Sequence, residues 1–417
     1  MSFFNIIAGS SIRVTTAPSI PQSSALVGVS KHIRGHVASF SESTDTIQEY
    51  SRGGELLCLK HNIGCTVFIA AQGTISDRFV KMGRLDLGWY DGSAISNLTN
   101  ITASRQGREV TAIAYTGGTD NNKLDYLPSL LSGRNSEYET TPLSIEYTGL
   151  TDVDLISKAS TFRYGYYTEL EGRTNFIAGT NAEGLTKVYQ YAQQTITEEG
   201  HYHNFMHWHW WTKDYAELYF QALENELVGQ DVYSGSYGDI QEYQFVRDSV
   251  DTISYANEVV SISYSKKYPN SPYWKISTPL WVRLDLSETA LSGKDITTSH
   301  AGQVRSAGAD VFFVSINLDF TLTSANFTVS ETLSPVYVNL NKPIVSLSGQ
   351  TFTSDQPVKV NVYRKLKAEY IHEGGTVELL YNSFQTSFTL TTSFDTATYN
   401  YYIAFINQYG VSGTYEF

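Results

Sequence analysis

The residues best suited to chemistry in this chain are four histidines within nine positions, His201, His203, His207 and His209. Side chains two residues apart on a β-strand point to the same face, so an unbroken strand would turn all four imidazoles one way. Two imidazoles at this spacing can ligate one metal ion. The pattern indicates a candidate metal site, and no other cofactor is predicted. The competing interpretation is an aromatic strand in a core or at an interface.

Two aromatic clusters are further candidates, and their members are Tyr164, Tyr166, Tyr167, Trp208, Trp210 and Trp211. Exposed Tyr and Trp rings stack on sugar faces, so these residues could contact a glycan. Subunit interfaces also favour them, because they bury a large area at a small cost in side-chain entropy. Both interpretations, interface and glycan contact, stay open.

Catalytic signatures are absent from the sequence. It has no Gly-x-Ser-x-Gly, no phosphate-binding loop and no dinucleotide fingerprint. Cupin enzymes use a His-x-His pair, but they also need a glutamate a few residues later, and Asp214 and Glu217 here fit a helix start instead. We therefore predict that the protein is not an enzyme, with a cupin-like metalloenzyme or a glycosidase as alternatives.

The two cysteines, Cys58 and Cys65, lie in a segment, 56–68, that is predicted as two apolar strands. A hairpin there would permit a disulfide, whereas a reducing compartment favours two buried thiols, which we predict. With His61 the cysteines could supply three zinc ligands, but the sequence offers no fourth ligand nearby.

The composition is acidic and poor in charge. Asp and Glu number 42 against 29 Lys and Arg, so the formal charge is −13, and charged residues make up 17% of the chain. Soluble domains carry about 25% charged residues. Lys and Arg are outnumbered by Asp and Glu, so the composition offers no excess of positive charge to neutralise phosphates, and no nucleic-acid partner is predicted. No stretch approaches the ~18 apolar residues that span a bilayer, so membrane insertion is not predicted.

Alternating apolar and polar residues run through most of the chain. In the clearest case Ile316, Leu318, Phe320 and Leu322 share one face, while polar residues occupy the other. Such alternation is typical of antiparallel strands with one buried face. We predict a mainly β fold with an antiparallel β-sandwich or jelly-roll-like body.

One amphipathic helix interrupts this pattern and is predicted over residues 214–228. Asp214 and Glu217 form a capping box at its start, and Gly229 is a stop signal at its end. A stretch rich in Ser, Thr and Gly, 287–309, is predicted as a long loop.

Three domains are predicted, over residues 1–200, 201–341 and 342–417. Turn residues divide the last domain at the near-regular spacing of an immunoglobulin-like sandwich. Its run from Thr398 to Ser412 has a Tyr, alternating apolar residues, then an Asn and a Gly. This run resembles the penultimate strand and following turn of fibronectin type III domains. The resemblance implies an Ig-like or fibronectin type III-like domain at 342–417.

Tyrosine is abundant, at 30 of 417 residues, and occurs in nearly every strand-like segment. With the β-rich pattern, the low charge and the terminal Ig-like domain, the chain resembles structural proteins of tailed-bacteriophage virions, of the tail, baseplate, collar or head-decoration type. The resemblance implies synthesis in the host cytoplasm, a location in the virion and assembly as a trimer or hexamer with other virion proteins. A host surface glycan is a further implied partner. The alternative is a carbohydrate-binding or carbohydrate-active β-sandwich protein.

The interface interpretation of the Trp cluster is testable. Trp208→Ala or Trp210→Ala should weaken subunit association by about 2 kcal/mol or more, because buried Trp residues are frequent interface anchors. Light scattering of each variant measures the assembled fraction. Normal assembly in both variants would contradict the interface role.

Overall fold

The computed structural model describes residues 26–45, 51–69, 84–90, 112–114, 144–145, 166–167, 189–190, 192–206, 214–265, 278–367, 376–391 and 393–417. The described chain is mainly β, as predicted, and its strands form three units: a parallel sheet, an antiparallel sandwich and a C-terminal antiparallel sheet. Among the described residues, no helix is long and apolar enough to cross a membrane.

The strands, in chain order, are β1 (Leu26–Val29), β2 (Ala38–Asp45), β3 (Cys65–Ile69), β4 (Leu85–Tyr90), β5 (Ala112–Ala114), β6 (Ser144–Ile145), β7 (Tyr166–Tyr167), β8 (His201–Met206), β9 (Val232–Ser234), β10 (Val250–Ala256), β11 (Val259–Tyr264), β12 (Leu280–Asp285), β13 (Ile296–Thr298), β14 (Val304–Ser306), β15 (Val311–Ile316), β16 (Ser324–Glu331), β17 (Val345–Ser348), β18 (Thr351–Leu366), β19 (Thr376–Thr389), β20 (Tyr399–Asn407) and β21 (Ser412–Glu416). The α-helices are α1 (Ser51–His61), α2 (Asp214–Leu227) and α3 (Tyr237–Asp248). A 3-10 turn covers Ile33–Gly35, and residues 192–197 are helical.

The first unit is an eight-stranded sheet in the order β6-β5-β4-β3-β2-β8-β7, with β9 paired to the start of β2. Every pairing in it is parallel. The predicted antiparallel pattern therefore does not extend to this part of the chain. Several of its strands, such as β2 with the sequence ASFSESTD, also alternate, and alternation reports a buried face rather than the direction of the neighbouring strand.

The prediction of two strands over 56–68 was wrong for its first half, where α1 ends at His61 and only β3 follows as a strand. Leu56, Leu57 and Leu59 are all completely buried, so this stretch of α1 has no exposed face to mark a helical period. A short apolar run of this kind does not distinguish helix from strand. The structure contains α1 and α3 in addition to the one predicted helix.

The predicted helix at 214–228 is confirmed as α2, and Gly229 has a left-handed φ of 76° at its end. A glycine reaches that conformation without a Cβ clash, which is why it ends helices.

The second unit is an antiparallel sandwich, which confirms that prediction for this part of the chain. The sheet β1-β12-β15-β14 packs on the sheet β10-β11-β16-β13 around one apolar core. Burial alternates strictly along β11, as expected for a strand with one face in a core. The predicted loop at 287–309 contains the short strands β13 and β14.

The strand predicted to run to Leu322 ends six residues earlier, at Ile316. The Asp319 carboxylate accepts hydrogen bonds from the backbone N–H and hydroxyl of Thr321, at 2.9 and 2.7 Å. These local hydrogen bonds form a turn at Asp319 and replace the bonds that would pair this segment with a neighbouring strand. Leu322, predicted to face the core, is therefore 57% exposed.

The third unit is a five-stranded antiparallel sheet, β17-β18-β20-β21, with β19 on the other edge of β18. One of its faces encloses an apolar core that includes Phe352, Val360 and Tyr401. The run that resembles fibronectin type III domains forms β20 and the turn after it, where Gly410 has a φ of 80°.

Contacts between units join the three sheets. β1 pairs with β12, so a segment ahead of the parallel sheet completes the sandwich. Ile33, Ile240, Tyr243 and Trp281 form a small apolar core between α3 and the sandwich. α1 packs on β20 and β21 of the third unit. The predicted domain boundary at 200/201 falls within the parallel sheet, because β8 pairs with β2.

Candidate binding cleft

The structure brings two of the predicted clusters onto neighbouring strands. β7 contains Tyr166 and Tyr167, and Tyr167 pairs with His203 of β8. His201 is buried, and its Nε2 lies 3.3 Å from the hydroxyl of Ser41 on β2. Tyr164, His207, Trp208, His209, Trp210 and Trp211 lie outside the described residues. In the described part of the chain, no group of three or more His, Cys, Asp or Glu residues could hold a metal ion.

The predicted pair of buried thiols is confirmed, since Cys58 and Cys65 are free and completely buried. His61 faces the carboxylates of α2 instead. Its Nδ1 lies 2.6 Å from Glu224 Oε2, and its Nε2 lies 3.4 Å from Glu217 Oε1, which also pairs with Lys60. Glu217, predicted as part of a helix cap, therefore also joins α1 to α2.

The protonation states of this group are coupled. Burial alone would lower the pKa of His61, but hydrogen bonds to Glu217 and Glu224 outweigh burial and raise it. Burial alone would raise the pKa of Glu217, but hydrogen bonds from His61 and Lys60 lower it to about 2. These contacts favour the imidazolium form of His61 between the two carboxylates.

A cleft of about 690 Å³ opens beside this cluster, where all three units meet; we call it the junction cleft. His36, Gly64 and Arg84 lie just before β2, β3 and β4, so the junction cleft lies at the amino-terminal edge of the parallel sheet. Its other walls come from the end of α2, from the sandwich and from the third unit. The cationic side chains that line it are Arg34, Arg84, Arg305, Lys342 and Lys359, and the carboxylates are Glu224, Asp231 and Asp239.

Two glycines let the walls approach closely. A Cβ on Gly64 would lie 2.4 Å from the backbone of Gly235, so the strand ends β3 and β9 meet there only without side chains. A Cβ on Gly413 would lie 2.4 Å from Cε of Lys342, so this glycine makes room for the lysine. Larger residues at either position would displace the wall of the cleft.

Arg84 lines the junction cleft and connects its walls by hydrogen bonds. Its guanidinium is buried and donates to Ser412 Oγ at 3.1 Å, to the Ser234 carbonyl at 2.7 Å and to the Asn62 carbonyl at 3.2 Å. Burial lowers its pKa to about 10, so it remains a cation at neutral pH. Each of its three nitrogens donates to protein, so Arg84 supports the site.

The carboxylates of the cleft are engaged by neighbouring side chains. Asp231 contacts Arg305 at 2.6 Å and His36 Nδ1 at 2.7 Å. Asp239 accepts from the Ser236 hydroxyl at 2.8 Å, while that hydroxyl accepts from the Asp239 N–H at 3.0 Å, which caps α3. Glu224 contacts His61.

A second cavity, of about 700 Å³, adjoins the first between the sandwich and α3. Arg34, Tyr233 and Asp239 line both cavities. Trp281 and His300 add aromatic surface to the second cavity, and His300 Nε2 contacts the Ser315 carbonyl. The two cavities therefore form a continuous, half-polar surface with Arg34 at their shared wall.

Sequence reasoning missed the residues of the junction cleft. Arg34, Arg84 and Lys359 are isolated cations in three distant segments, and none belongs to a motif. A weak signal existed, because Arg34 precedes a glycine and Arg84 follows one in a chain that is poor in charge. An arginine beside a glycine indicates a turn, but the sequence does not show which turns lie close together in the folded chain.

No protein-family model and no curated protein matches the chain. Three solved structures are similar to about half of it. A family 4 carbohydrate esterase from Streptomyces lividans in complex with acetate has 12% identity and a TM-score of 0.31, over 48% of this chain and 93% of that chain. The catalytic domain of a peptidoglycan N-acetylglucosamine deacetylase from Eubacterium rectale has 11% identity and a TM-score of 0.31, over 49% of this chain and 90% of that chain.

A polysaccharide deacetylase from Bacillus cereus has 12% identity and a TM-score of 0.28, over 48% of this chain and 91% of that chain. At these TM-scores the similarity supports no conclusion about this chain.

The buried imidazolium makes stability depend on pH. Glu224→Gln removes the carboxylate beside His61 Nδ1 and should lower the free energy of unfolding at pH 6 by about 2 kcal/mol. Because the pKa of His61 is raised in the folded protein, the stabilisation by Glu224 is fully present below the pKa of about 6.5 that His61 has in the unfolded chain. This stabilisation is lost as pH rises through the pKa of the folded protein. The lowered pKa of Glu224 means that it also fades below about pH 4.5.

Urea unfolding of the wild type and the variant between pH 4 and pH 9 measures this difference. The matched control is Glu226→Gln, on the same helix, which should change stability by less than about 0.5 kcal/mol. A loss for Glu224→Gln that is constant from pH 5 to pH 9 would contradict the imidazolium.

Proposed function

We propose that the chain is a structural component of a tailed-phage virion that acts by assembly into a trimer or hexamer. The supporting observation is a set of exposed apolar side chains along the connection from β16 to β17: Leu333 is 95% exposed, Val336 82% and Ile344 74%. We call these three residues the apolar strip. Exposed apolar residues concentrated in one segment mark protein contact sites more often than scattered ones do.

The rigid joining of the units also supports a mechanical role. Core residues shared by the first two units and the bonds of Arg84 to the third would transmit force through buried contacts. The apolar strip lies on the connection between the second and third units, where a neighbouring subunit or virion protein would hold both. On this proposal the protein catalyses no reaction.

Assembly through the apolar strip is testable by mass. We expect light scattering of the wild type to give a trimer or hexamer, and Leu333→Asp with Val336→Asp to give smaller species, because a buried unpaired charge disrupts an interface. The far-UV circular dichroism spectrum should stay unchanged, since both side chains are exposed in the protomer, while the melting temperature should fall with the loss of association. The control is Leu322→Asp, an exposed leucine of the sandwich outside the strip. A monomeric wild type would overturn the proposal.

A second candidate function, carbohydrate binding or turnover, is supported by the direction of the strands in the parallel sheet. Ligands of such sheets bind beyond the carboxyl ends of the strands. β2 ends at Asp45 and its neighbour β8 ends at Met206, so both carboxyl ends lie at one edge. In the sequence, Met206 directly precedes the predicted candidates His207 to His209. Carboxylates and imidazoles are the groups that hold metal ions or move protons.

A glycan array tests this candidate. Wild-type protein should bind at least one saccharide, and Asp45→Asn should weaken that binding by at least about tenfold, because it removes a negative charge at the carboxyl end of β2. Glu288→Gln, an exposed carboxylate of the sandwich, is the control for the change in charge. An array without hits for the wild type would remove this candidate and leave the assembly proposal standing.

A further inference from the structure

Arg34 lies in a backbone conformation that few residues other than glycine adopt. Its φ is 57°, in the left-handed region. The next residue, Gly35, has a φ of 73°, and a Cβ there would lie 2.2 Å from the Phe313 ring. The turn is therefore held by packing on the sandwich. Strained positions that the surrounding structure enforces are concentrated at ligand clamps and active sites.

The Arg34 side chain has unused donors. Its Nη1 donates to the Tyr409 carbonyl at 2.5 Å. In the described part of the chain it forms no ion pair with a carboxylate, and its Nε and Nη2 make no hydrogen bond. The side chain is half-buried, and this partial burial lowers the pKa of its guanidinium. Because Arg34 lines both cavities, these donors lie at the wall of the junction cleft.

Two lysines extend this cationic surface. Lys342 occupies the space beside Gly413, and Lys359 Nζ lies 4.8 Å from the centre of the Phe384 ring. Neither forms an ion pair with a carboxylate among the described residues. Five Arg and Lys side chains against three carboxylates line this cleft, whereas the chain as a whole carries −13.

The three carboxylates of the cleft offset part of its positive charge, since Asp239 raises the pKa of Arg34 and Lys342 lowers the pKa of Glu224, but each also has another partner. Glu224 contacts His61, Asp231 contacts Arg305, and Asp239 contacts Ser236. The Arg305 guanidinium also donates to the Arg34 carbonyl at 2.8 Å, and the positive charge of Arg305 further lowers the pKa of Arg34. Like charges are therefore held together in the folded protein, an arrangement that a bound anion would stabilise.

We propose that the junction cleft binds an oxyanion, a phosphate or carboxylate group carried by a ligand, between Arg34, Lys342 and Lys359. An arginine fork donates two parallel hydrogen bonds to such a group, and lysines add charge without fixed geometry. Inorganic phosphate and an acidic saccharide share this chemistry. This site goes beyond the proposed assembly and does not require it, because every contact comes from one protomer.

Calorimetric titration of the full chain with three probes separates the sources of the oxyanion. The probes are inorganic phosphate, an oligogalacturonate and a neutral malto-oligosaccharide. We expect the two anionic probes to bind and to raise the melting temperature, and the neutral one to do neither. Binding of phosphate alone supports the site and assigns it to a simple oxyanion, whereas tighter binding of the oligogalacturonate assigns it to an acidic saccharide.

The variants test which residues bind the anion. Arg34→Asn keeps a residue that tolerates a positive φ, so it should fold while weakening anion binding at least tenfold. Lys342→Gln with Lys359→Gln should weaken binding to a similar extent. Lys294→Gln, an exposed lysine of the sandwich, is the control and should change binding less than twofold. Raising NaCl from about 0.01 M to about 1 M should weaken binding, because the screening length falls from ~30 Å to ~3 Å.

Two results would overturn the site: no binding of either anionic probe to the wild type, or binding that Arg34→Asn and the double lysine variant leave unchanged. The variant with Leu333→Asp and Val336→Asp should keep the affinity of the wild type. A loss of anion binding in that variant would place the site between subunits and overturn the single-protomer assignment. The oligomeric mass is measured separately, so failure of the assembly proposal is distinguishable from failure of this one.

Discussion

The buried guanidinium of Arg84 is the contact on which the arrangement of the three units depends. Its hydrogen bonds reach the turn after α1, the end of β9 and the start of β21, so one side chain joins the parallel sheet to the C-terminal sheet. A buried cation is tolerated only when its donors are satisfied. Separating the units would leave this charge without partners, and water would have to enter the interface. The geometry of the junction cleft follows from this contact.

The same constraint explains how polar groups are distributed between the units. Glu55 of α1 is buried against the C-terminal sheet, where it accepts a hydrogen bond from Tyr363, and burial raises its pKa to about 8. The buried His61 is shifted toward its charged form instead, because carboxylates of α2 contact both of its ring nitrogens. Glu55 and His61 show two outcomes of burial, a shift toward the neutral form and pairing with opposite charge. Arg34 differs from these two groups, because it is half-buried and no described protein group accepts a hydrogen bond from its Nε or Nη2 at the wall of the junction cleft.

Particular elements show how far sequence patterns reached. The capping box and the glycine stop of α2 are local signals, and the helix begins and ends within a residue of its predicted bounds. The regular alternation of β11 identified a sandwich strand. By contrast, α1 carries three leucines that are buried on every side, so its sequence shows no helical period. The candidate site was less predictable still, since Arg34, Arg84 and Lys359 come from three different units and carry no motif.

By itself the sequence determined the mainly β class, the sandwich, α2 and the burial of both cysteines, because periodicity and composition report which face of an element avoids water. Only the tertiary structure decided that the largest sheet is parallel, that the C-terminal sheet packs on α1, and that isolated cations meet in one cleft. Periodicity reports that a face is buried but not which partner buries it or in which direction that partner runs. Those choices depend on contacts between distant segments, where a few buried hydrogen bonds, such as those of Arg84, select one arrangement.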